Sequence, residues 1–310
     1  MQDSPATQSL NIHFGGFQSA CSMDDHGAAL AVEIPLLSGA GSKALLTGCS
    51  IHESNGFIIG ETGNQMAGIS CIEAKNSPEE PAFEIYSALI KMVGSRKIHR
   101  IWNYVPDINE EYNHLENYRA FNVGRHRAFV SAYGTGYASR ISPASAVGVN
   151  GTKLAVAFIA GNDVMENVEN PEQTPAYSYP SEHGPKSPSF TRGSHGTVAG
   201  IPISHLSGTS SIKQHHSLGT NNLASQYQTT IDNMRLVTQS LGYPDALGNG
   251  AGMNREFTFY LRNANDLDTA TGLFRETTGQ SGIECTRFLH ADICRRELLL
   301  EIEGSFWRPL

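Results

Sequence analysis

Apolar residues in the first hundred positions come in short runs separated by Gly, Ser and Asn. ALAVEIPLL (29–37), KALLTGC (43–49) and GFIIGET (56–62) are of strand length and bounded by turn residues, so they predict β-strands. The period then changes. In PEEPAFEIYSALIKMVGS (78–95), Phe83, Tyr86, Leu89, Ile90 and Val93 recur at helical spacing, with Pro81 suited to a first turn and Gly94 to a stop. HRIWNYVPDIN (99–109) predicts a strand ended by a Pro turn. INEEYNHLENYRAFNVGR (108–125) predicts a polar, exposed helix with acidic residues near its start, where the helix dipole favours them.

The pattern restarts near residue 150, which divides the chain into an N-terminal α+β domain (1–150) and a C-terminal domain (151–310). GTKLAVAFIAGN (151–162) and IPISHLSGTSSI (201–212) predict strands. Leu223, Tyr227, Ile231, Met234 and Leu241 mark an amphipathic helix within 221–243. A strand over 255–263, a short helix over 264–279 and closing strands follow, so the second half reads β-β-α-β-α-β-β, a mixed sheet backed by helices. The first half can be read as a degenerate copy of that unit. Between the strands lies 167–193, with five prolines and three aromatics, too Pro-rich for a helix or a central strand. Its length and its Tyr177, Tyr179 and Phe190 suit an ordered functional loop.

The closing segment carries the chemistry. In HADICRRELLLEIEG (290–304), alternation puts Glu301 and Glu303 on one face of a strand, opposite Leu300 and Ile302. Two readings fit. Both carboxylates can lie on the wet face of an antiparallel edge strand. Alternatively, burial raises the pKa of one of them and makes it a proton donor near neutral pH.

Composition narrows the classes. With 39% hydrophobic and 17% charged residues, 31 Gly and 14 Pro, the chain reads as folded and loop-rich, and its net charge of −8 argues against a nucleic-acid binder. Five cysteines without a CxxC suggest neither a disulfide framework nor a structural zinc site. His215-His216, with His205 and His195 nearby, lack HExxH or comparable spacing, so no metal and no cofactor is expected. The first residues lack a basic and then apolar leader pattern and no apolar stretch is long enough to span a bilayer, so a cytoplasmic location is expected.

The second half, with SGT at 207–209, Gln226 and Asn233 on the long helix, Thr286-Arg287 and LLLEIEG, resembles the RidA (YjgF) fold. RIWNYVPDIN (100–109), YRAFNVGR (118–125), ENPEQTPAYSYPSEHGPKSPSFTRG (169–193), SGTSSI (207–212) and HADICRRELLLEIEG (290–304) together resemble the motifs of the chorismatases. The resemblance implies an α+β fold of two RidA/YjgF-like (chorismate-mutase-like) mixed-sheet halves backed by helices, with the active site in the cleft. It also implies cleavage of chorismate to pyruvate and a ring product, and a monomer or a RidA-like trimer.

Chorismate is a dicarboxylate bearing an enolpyruvyl ether, so it needs two anion clamps and an acid. Planar guanidinium groups suit carboxylates, which makes Arg125 and Arg192 candidate clamps, although either can equally be a solvated surface arginine. Tyr179, Tyr177 and Gln173 are candidate hydrogen-bond donors. Gly208 and Thr209 lie in the SGT motif, and Arg287 follows the RidA-like pattern. Glu301 matches the family's catalytic glutamate, and Glu303 reads as a supporting group that helps keep it protonated. Cys294 stands where the family's hydroxybenzoate-forming branch carries a cysteine, which points to 3-hydroxybenzoate; a small apolar filler is the other reading of that thiol. Hydrolysis to trans-3,4-dihydroxycyclohexa-1,5-diene carboxylate, mixed 3-/4-hydroxybenzoate, a RidA-like imine deaminase and a metabolite-binding protein are the alternatives.

Overall fold

The computed structural model describes residues 8–308 apart from Asn249 and Ala251. The first unit runs β1 (Gln8–Phe14), β2 (Ala20–Asp24), β3 (Gly27–Val32), β4 (Leu36–Ser38), β5 (Ser42–Ser54), β6 (Phe57–Thr62), β7 (Gln65–Glu73), α1 (Glu79–Val93), β8 (Lys97–Pro106), α2 (Asn117–Tyr133), β9 (Ala144–Val149) and β10 (Lys153–Gly161). The second runs β11 (Met165–Val168), β12 (Gly193–Val198), β13 (Ile201–Thr209), α3 (Leu223–Ser240), β14 (Asn254–Leu261), α4 (Leu267–Glu284), β15 (Thr286–His290) and β16 (Leu300–Trp307).

The nine-stranded sheet has the order β9-β8-β10-β7-β6-β5-β1-β3-β2, and the seven-stranded sheet the order β11-β12-β13-β16-β14-β15-β4. Within them, β6-β7-α1-β8-α2-β9-β10 and β12-β13-α3-β14-α4-β15-β16 have the same strand order and the same pairing senses, including the parallel pairs β8/β9 and β14/β15. The chain is therefore a topological duplication, a feature the sequence shows only as similar element lengths.

Alternation along the strands builds four layers. On β8, Ile101 and Val105 join Ile85 and Leu89 of α1 and Phe121 and Phe129 of α2 in one core. Trp102 and Tyr104, on the opposite face, join Val147, Tyr260, Leu289 and Leu298 in a second core between the sheets. A third core packs Phe257, Phe259, Leu300 and Ile302 against Ile231 and Met234 of α3 and Phe274 of α4. The order is helix, sheet, sheet, helix, and no helix among the described residues is long and apolar enough to cross a membrane.

Three expectations change. The boundary at 150 is too early: β10 pairs with both β7 and β8 as a central strand of the first sheet, so the chain leaves that unit after Gly161. The first strand of the β-β-α-β-α-β-β unit is β12, not 151–162. The helix expected over 108–125 begins only at Asn117, because Asn113 and His114 take left-handed backbone (φ 50° and 65°) and close a short hairpin. That helix is also not exposed: α2 buries Ala120, Phe121, Asn122, Gly124, Arg125, Ala128 and Phe129.

Gly124 shows how closely α1 and α2 approach, since a Cβ there would overlap the Glu79 carbonyl oxygen. Gly124→Ala is expected to lower stability by about 1–3 kcal/mol, the usual range for overpacking. Urea denaturation tests this, and an unshifted midpoint would mean that the two helices separate freely.

Candidate active site

β16 is not an edge strand. It lies between β13 and β14, one face of this sheet is covered by α3 and α4 and the other by the first sheet, and Glu301 and Glu303 are 4% and 3% exposed. The wet-edge reading of these carboxylates is excluded. They project into the layer between the sheets, where their surroundings differ.

Glu303 is fully partnered. It accepts from Arg100 at 2.7 Å, from the Trp102 indole at 2.9 Å and from the Ser145 hydroxyl. Burial pushes its pKa up, but Arg100, Lys43 and these hydrogen bonds outweigh burial and hold it below the usual carboxylate range. Glu301 has no equivalent partners. Its Oε1 is buried without a hydrogen bond, and burial, with Glu303 second, pushes its pKa up to about 8. The influence of one carboxyl on the other is thus one-sided: Glu303 stays ionised and Glu301 keeps its proton near neutrality.

Local structure aims Glu301. Leu206 pairs with Gly304 and Thr209 with Ile302, so β13 carries one extra residue opposite β16, a β-bulge at Ser207-Gly208. A Cβ on Gly208 would overlap the Glu301 carboxylate, which explains a glycine there. Ser207 accepts from the Ala144 amide at 3.0 Å and donates to the Thr191 carbonyl at 2.5 Å, tying the bulge to the first unit. Ser210 donates to the Leu300 carbonyl at 2.9 Å. From α3, Gln226 donates to the Glu297 carbonyl and accepts from the Leu299 amide, both at 2.8 Å, while Asn233 donates to the Ser210 and Ile212 carbonyls. These two polar residues on the buried face of α3 fix the turn and the strand on either side of the site.

Glu301 opens onto a cavity of about 370 Å³ whose walls include Tyr118, Arg125, Ala144, Ser145 and Ala146 from the first unit and Tyr179, Phe190, Arg192, Gly208, Ser210, Cys294 and Arg295 from the second. That volume is within the range of small-ligand sites. Arg125 is 1% exposed; it donates to Asn122 at 3.1 Å and its guanidinium lies 5.0 Å from the Phe121 ring centre. Arg192 donates to the Tyr179 hydroxyl at 2.8 Å and to the Thr174 carbonyl at 3.3 Å. Neither forms an ion pair among the described residues, and the Nε of each is buried without an acceptor. Burying a guanidinium without an anion is unfavourable, so the cavity presents two unpaired positive groups. Behind Arg192, burial pushes the Glu169 carboxyl up to about 7, so it neutralises that arginine only in part.

Of the ten residues besides Glu303 singled out from the sequence, Glu301, Cys294, Arg125, Arg192, Tyr179 and Gly208 line this one cavity. The other four do not. Gln173 donates to the Ile212 carbonyl and braces the loop, Thr209 donates to the Ser207 carbonyl inside its strand, and Tyr177 packs on the core of the first unit. Arg287 is bound to Glu256 at 2.6 Å and to the Ser42 carbonyl at 3.1 Å, in a structural ion pair on β15. Cys294 is a neutral thiol: burial, then Glu301, pushes its pKa up to about 12.

Arg100, Trp102 and Ser145, which hold Glu303, were not picked out from sequence, nor was Arg262. The Arg262 side chain binds the Ile293, Arg295 and Leu298 carbonyls and shapes the loop carrying Cys294. A signal for Arg100 was present: a charge inside the apolar run HRIWNYV is as conspicuous as the one inside LLLEIEG.

Comparison with known proteins gives consistent matches. Residues 48–160 fit the family model described as chorismatase FkbO/Hyg5-like, N-terminal. A 3-hydroxybenzoate synthase of Streptomyces hygroscopicus is 29% identical over 229 residues, 70% of this chain and 65% of that protein. A chorismatase of Streptomyces rapamycinicus is 30% identical over 237 residues, 71% of this chain and 68% of that protein. The chain spans just under two thirds of the length of the Streptomyces hygroscopicus synthase. A chorismatase crystal structure superposes with a TM-score of 0.86 over 98% of this chain and 94% of that one, at 23% identity, which establishes the shared fold.

The proton on Glu301 gives a stability signature. An unfolded glutamate titrates near ~4.3, so below that pH Glu301 is protonated in both states and its contribution is complete. As pH rises toward 8, only the unfolded chain releases the proton, and the folded state loses stability until the buried carboxyl itself ionises. Glu301→Gln lacks this slope. Between pH 5 and 8 the stability of the native protein should fall relative to the variant by on the order of a few kcal/mol, read from urea melts. A constant difference would mean that Glu301 is ionised in the folded chain.

Proposed function

The chain belongs to the chorismatase family, and we propose from that premise that it cleaves the enolpyruvyl ether of chorismate, with Glu301 as the acid that starts the reaction. One observation carries this reading: a buried carboxyl that keeps its proton near neutrality lines the same cavity as two buried guanidinium groups without an ion pair.

Each part of the substrate has a counterpart. The two carboxylates bind Arg125 and the Arg192–Tyr179 pair, where bidentate hydrogen bonding replaces the missing counter-ions. Glu301 delivers its proton to the terminal methylene carbon of the enol ether, converting it to a methyl group and leaving an oxocarbenium ion. The carboxylate so formed sits beside that cation and stabilises it electrostatically. Glu303 stays ionised on Arg100, so it holds the proton on Glu301 before the reaction and takes none itself.

Capture of the oxocarbenium by a ring hydroxyl, followed by collapse and aromatisation, yields 3-hydroxybenzoate and pyruvate with no water consumed, and the ring proton released returns to the Glu301 carboxylate. Capture by water would instead yield the dihydroxycyclohexadiene carboxylate. We favour 3-hydroxybenzoate because Cys294 lies in the cavity wall as a thiol beside Glu301. It occupies volume that a water molecule would otherwise take and offers a weak S–H donor to the ring. The first relative's name, 3-hydroxybenzoate synthase, is consistent with this branch.

Glu301→Gln should abolish pyruvate release, followed with coupled lactate dehydrogenase, while substrate-analogue binding stays within about tenfold (~1.4 kcal/mol). Turnover near that of the native protein would refute the mechanism. Chromatography of the ring product identifies the branch, and Cys294→Ala should reduce or shift the aromatic product.

The acid form of Glu301 is the active one, so kcat/KM should fall as pH rises through about 8. Glu303→Gln removes a negative neighbour and should move this alkaline limb to lower pH. A limb that stays in place would mean that some other group controls the profile.

A further inference from the structure

At the rim of the cavity, the loop that bears Tyr179 meets the 212–217 hairpin through a cluster of imidazoles that the proposed reaction does not use. The Nε2 of His183 and the Nδ1 of His215 are 3.0 Å apart, and Glu182 Oε1 lies 3.3 Å from the first and 3.2 Å from the second. One donor atom each of Glu182, His215 and His216 also lies within 4.8 Å of the others, and the His215 and His216 rings are 3.9 Å apart. From these positions we propose that Glu182, His183 and His215, with His216 as a fourth donor, form a binding site for a divalent transition ion of the zinc class.

The distances fit that use. Zinc bonds of roughly 2.0–2.2 Å to imidazole nitrogen and carboxylate oxygen give a tetrahedron with edges of about 3.3 Å, close to all three sides of the Glu182–His183–His215 triangle. The donor set, imidazole with one carboxylate, suits Zn²⁺, Co²⁺ and Ni²⁺ better than Mg²⁺ or Ca²⁺. Glu182 and His216 are exposed, which leaves an entry path from solvent.

The sequence could not show this site because the donors are not spaced as a motif. Two come from the loop and two from the hairpin, brought together by Tyr179, whose ring centre lies 5.3 Å from that of His183, and by Arg295, which donates to the His215 carbonyl at 2.9 Å. Arg295 also disfavours a cation nearby, and the Glu182 carboxylate opposes that effect. An ion here would cross-link the loop to the hairpin without touching Glu301. The inference does not depend on the proposed reaction.

Untagged full-length protein, freed of metal with EDTA and dialysed, is titrated with Zn²⁺ by calorimetry and with Co²⁺ by visible spectroscopy. One ion per chain and the visible absorption of tetrahedral Co²⁺ are expected. His215→Ala and Glu182→Gln should each weaken Zn²⁺ binding at least tenfold, while His195→Asn, at the separate exposed His195–Glu166 pair, leaves it unchanged. His216→Ala, at an exposed position, provides a third test should His215→Ala fail to fold. No saturable uptake, an unchanged isotherm in His215→Ala and Glu182→Gln, or a thiolate-to-cobalt charge-transfer band would each overturn the proposal.

Discussion

The buried ion pair between Glu303 and Arg100 is the constraint around which the site is organised. It joins the central strand of the second sheet to β8 of the first, and Ser145 and Trp102 supply the remaining hydrogen bonds. Two charges taken out of water are tolerated when they are paired with each other, and losing one partner of such a pair typically costs about 3–5 kcal/mol. The pair therefore sets how the two sheets can face each other, and with them the two walls of the cavity. It also leaves a fixed negative charge one side-chain repeat from Glu301, which gives two glutamates on one strand different protonation states.

Duplication explains where the cavity lies. Each βα unit buries one sheet face under its own helices and leaves the other for its neighbour. The layer between the sheets is apolar over much of its area, with Trp102, Tyr104, Tyr260 and Leu289 in contact. Toward β9 and β13 it opens, because Ala144, Ala146 and Gly208 are small and the bulge turns β13 aside. The Pro-rich loop closes the opening and brings Tyr179, Phe190 and Arg192 over it. Both walls come from a single polypeptide.

Hydrogen-bonding side chains, more than apolar contacts, place the reactive groups. Gln226 and Asn233 on α3 bind backbone on either side of Glu301, Ser207 bridges the bulge to β9, and Arg262 gathers the carbonyls around Cys294. Buried backbone groups in irregular segments need partners, and these side chains provide them where the sheet ladder is interrupted. Several polar residues of α2 and α3, among them Asn122, Arg125, Gln226 and Asn233, are thus inside the molecule although their residue types read as surface.

What was legible in the sequence follows from local periodicity and from residue chemistry. Alternation placed Glu301 and Glu303 on one face, helical spacing placed α1 and α3, and proline content marked the loop over the site. The motifs carried the family and the two arginines that line the cavity. Local pattern could not tell whether β16 was an edge or a centre, because β13 and β14 reach it from about forty to a hundred residues away in the chain, and that choice decides whether Glu301 is an ordinary surface carboxylate or a buried one with a raised pKa. The same holds for Arg287, which has the residue type of a clamp but is neutralised by Glu256, and for Tyr177 and Gln173, which share a loop with Tyr179 but turn away from the cavity. Residue type and backbone period are encoded within a few neighbouring positions. Burial and electrostatic partnership are made by contacts between distant ones, so only the folded chain decides which carboxyl keeps its proton and which arginines remain unpaired.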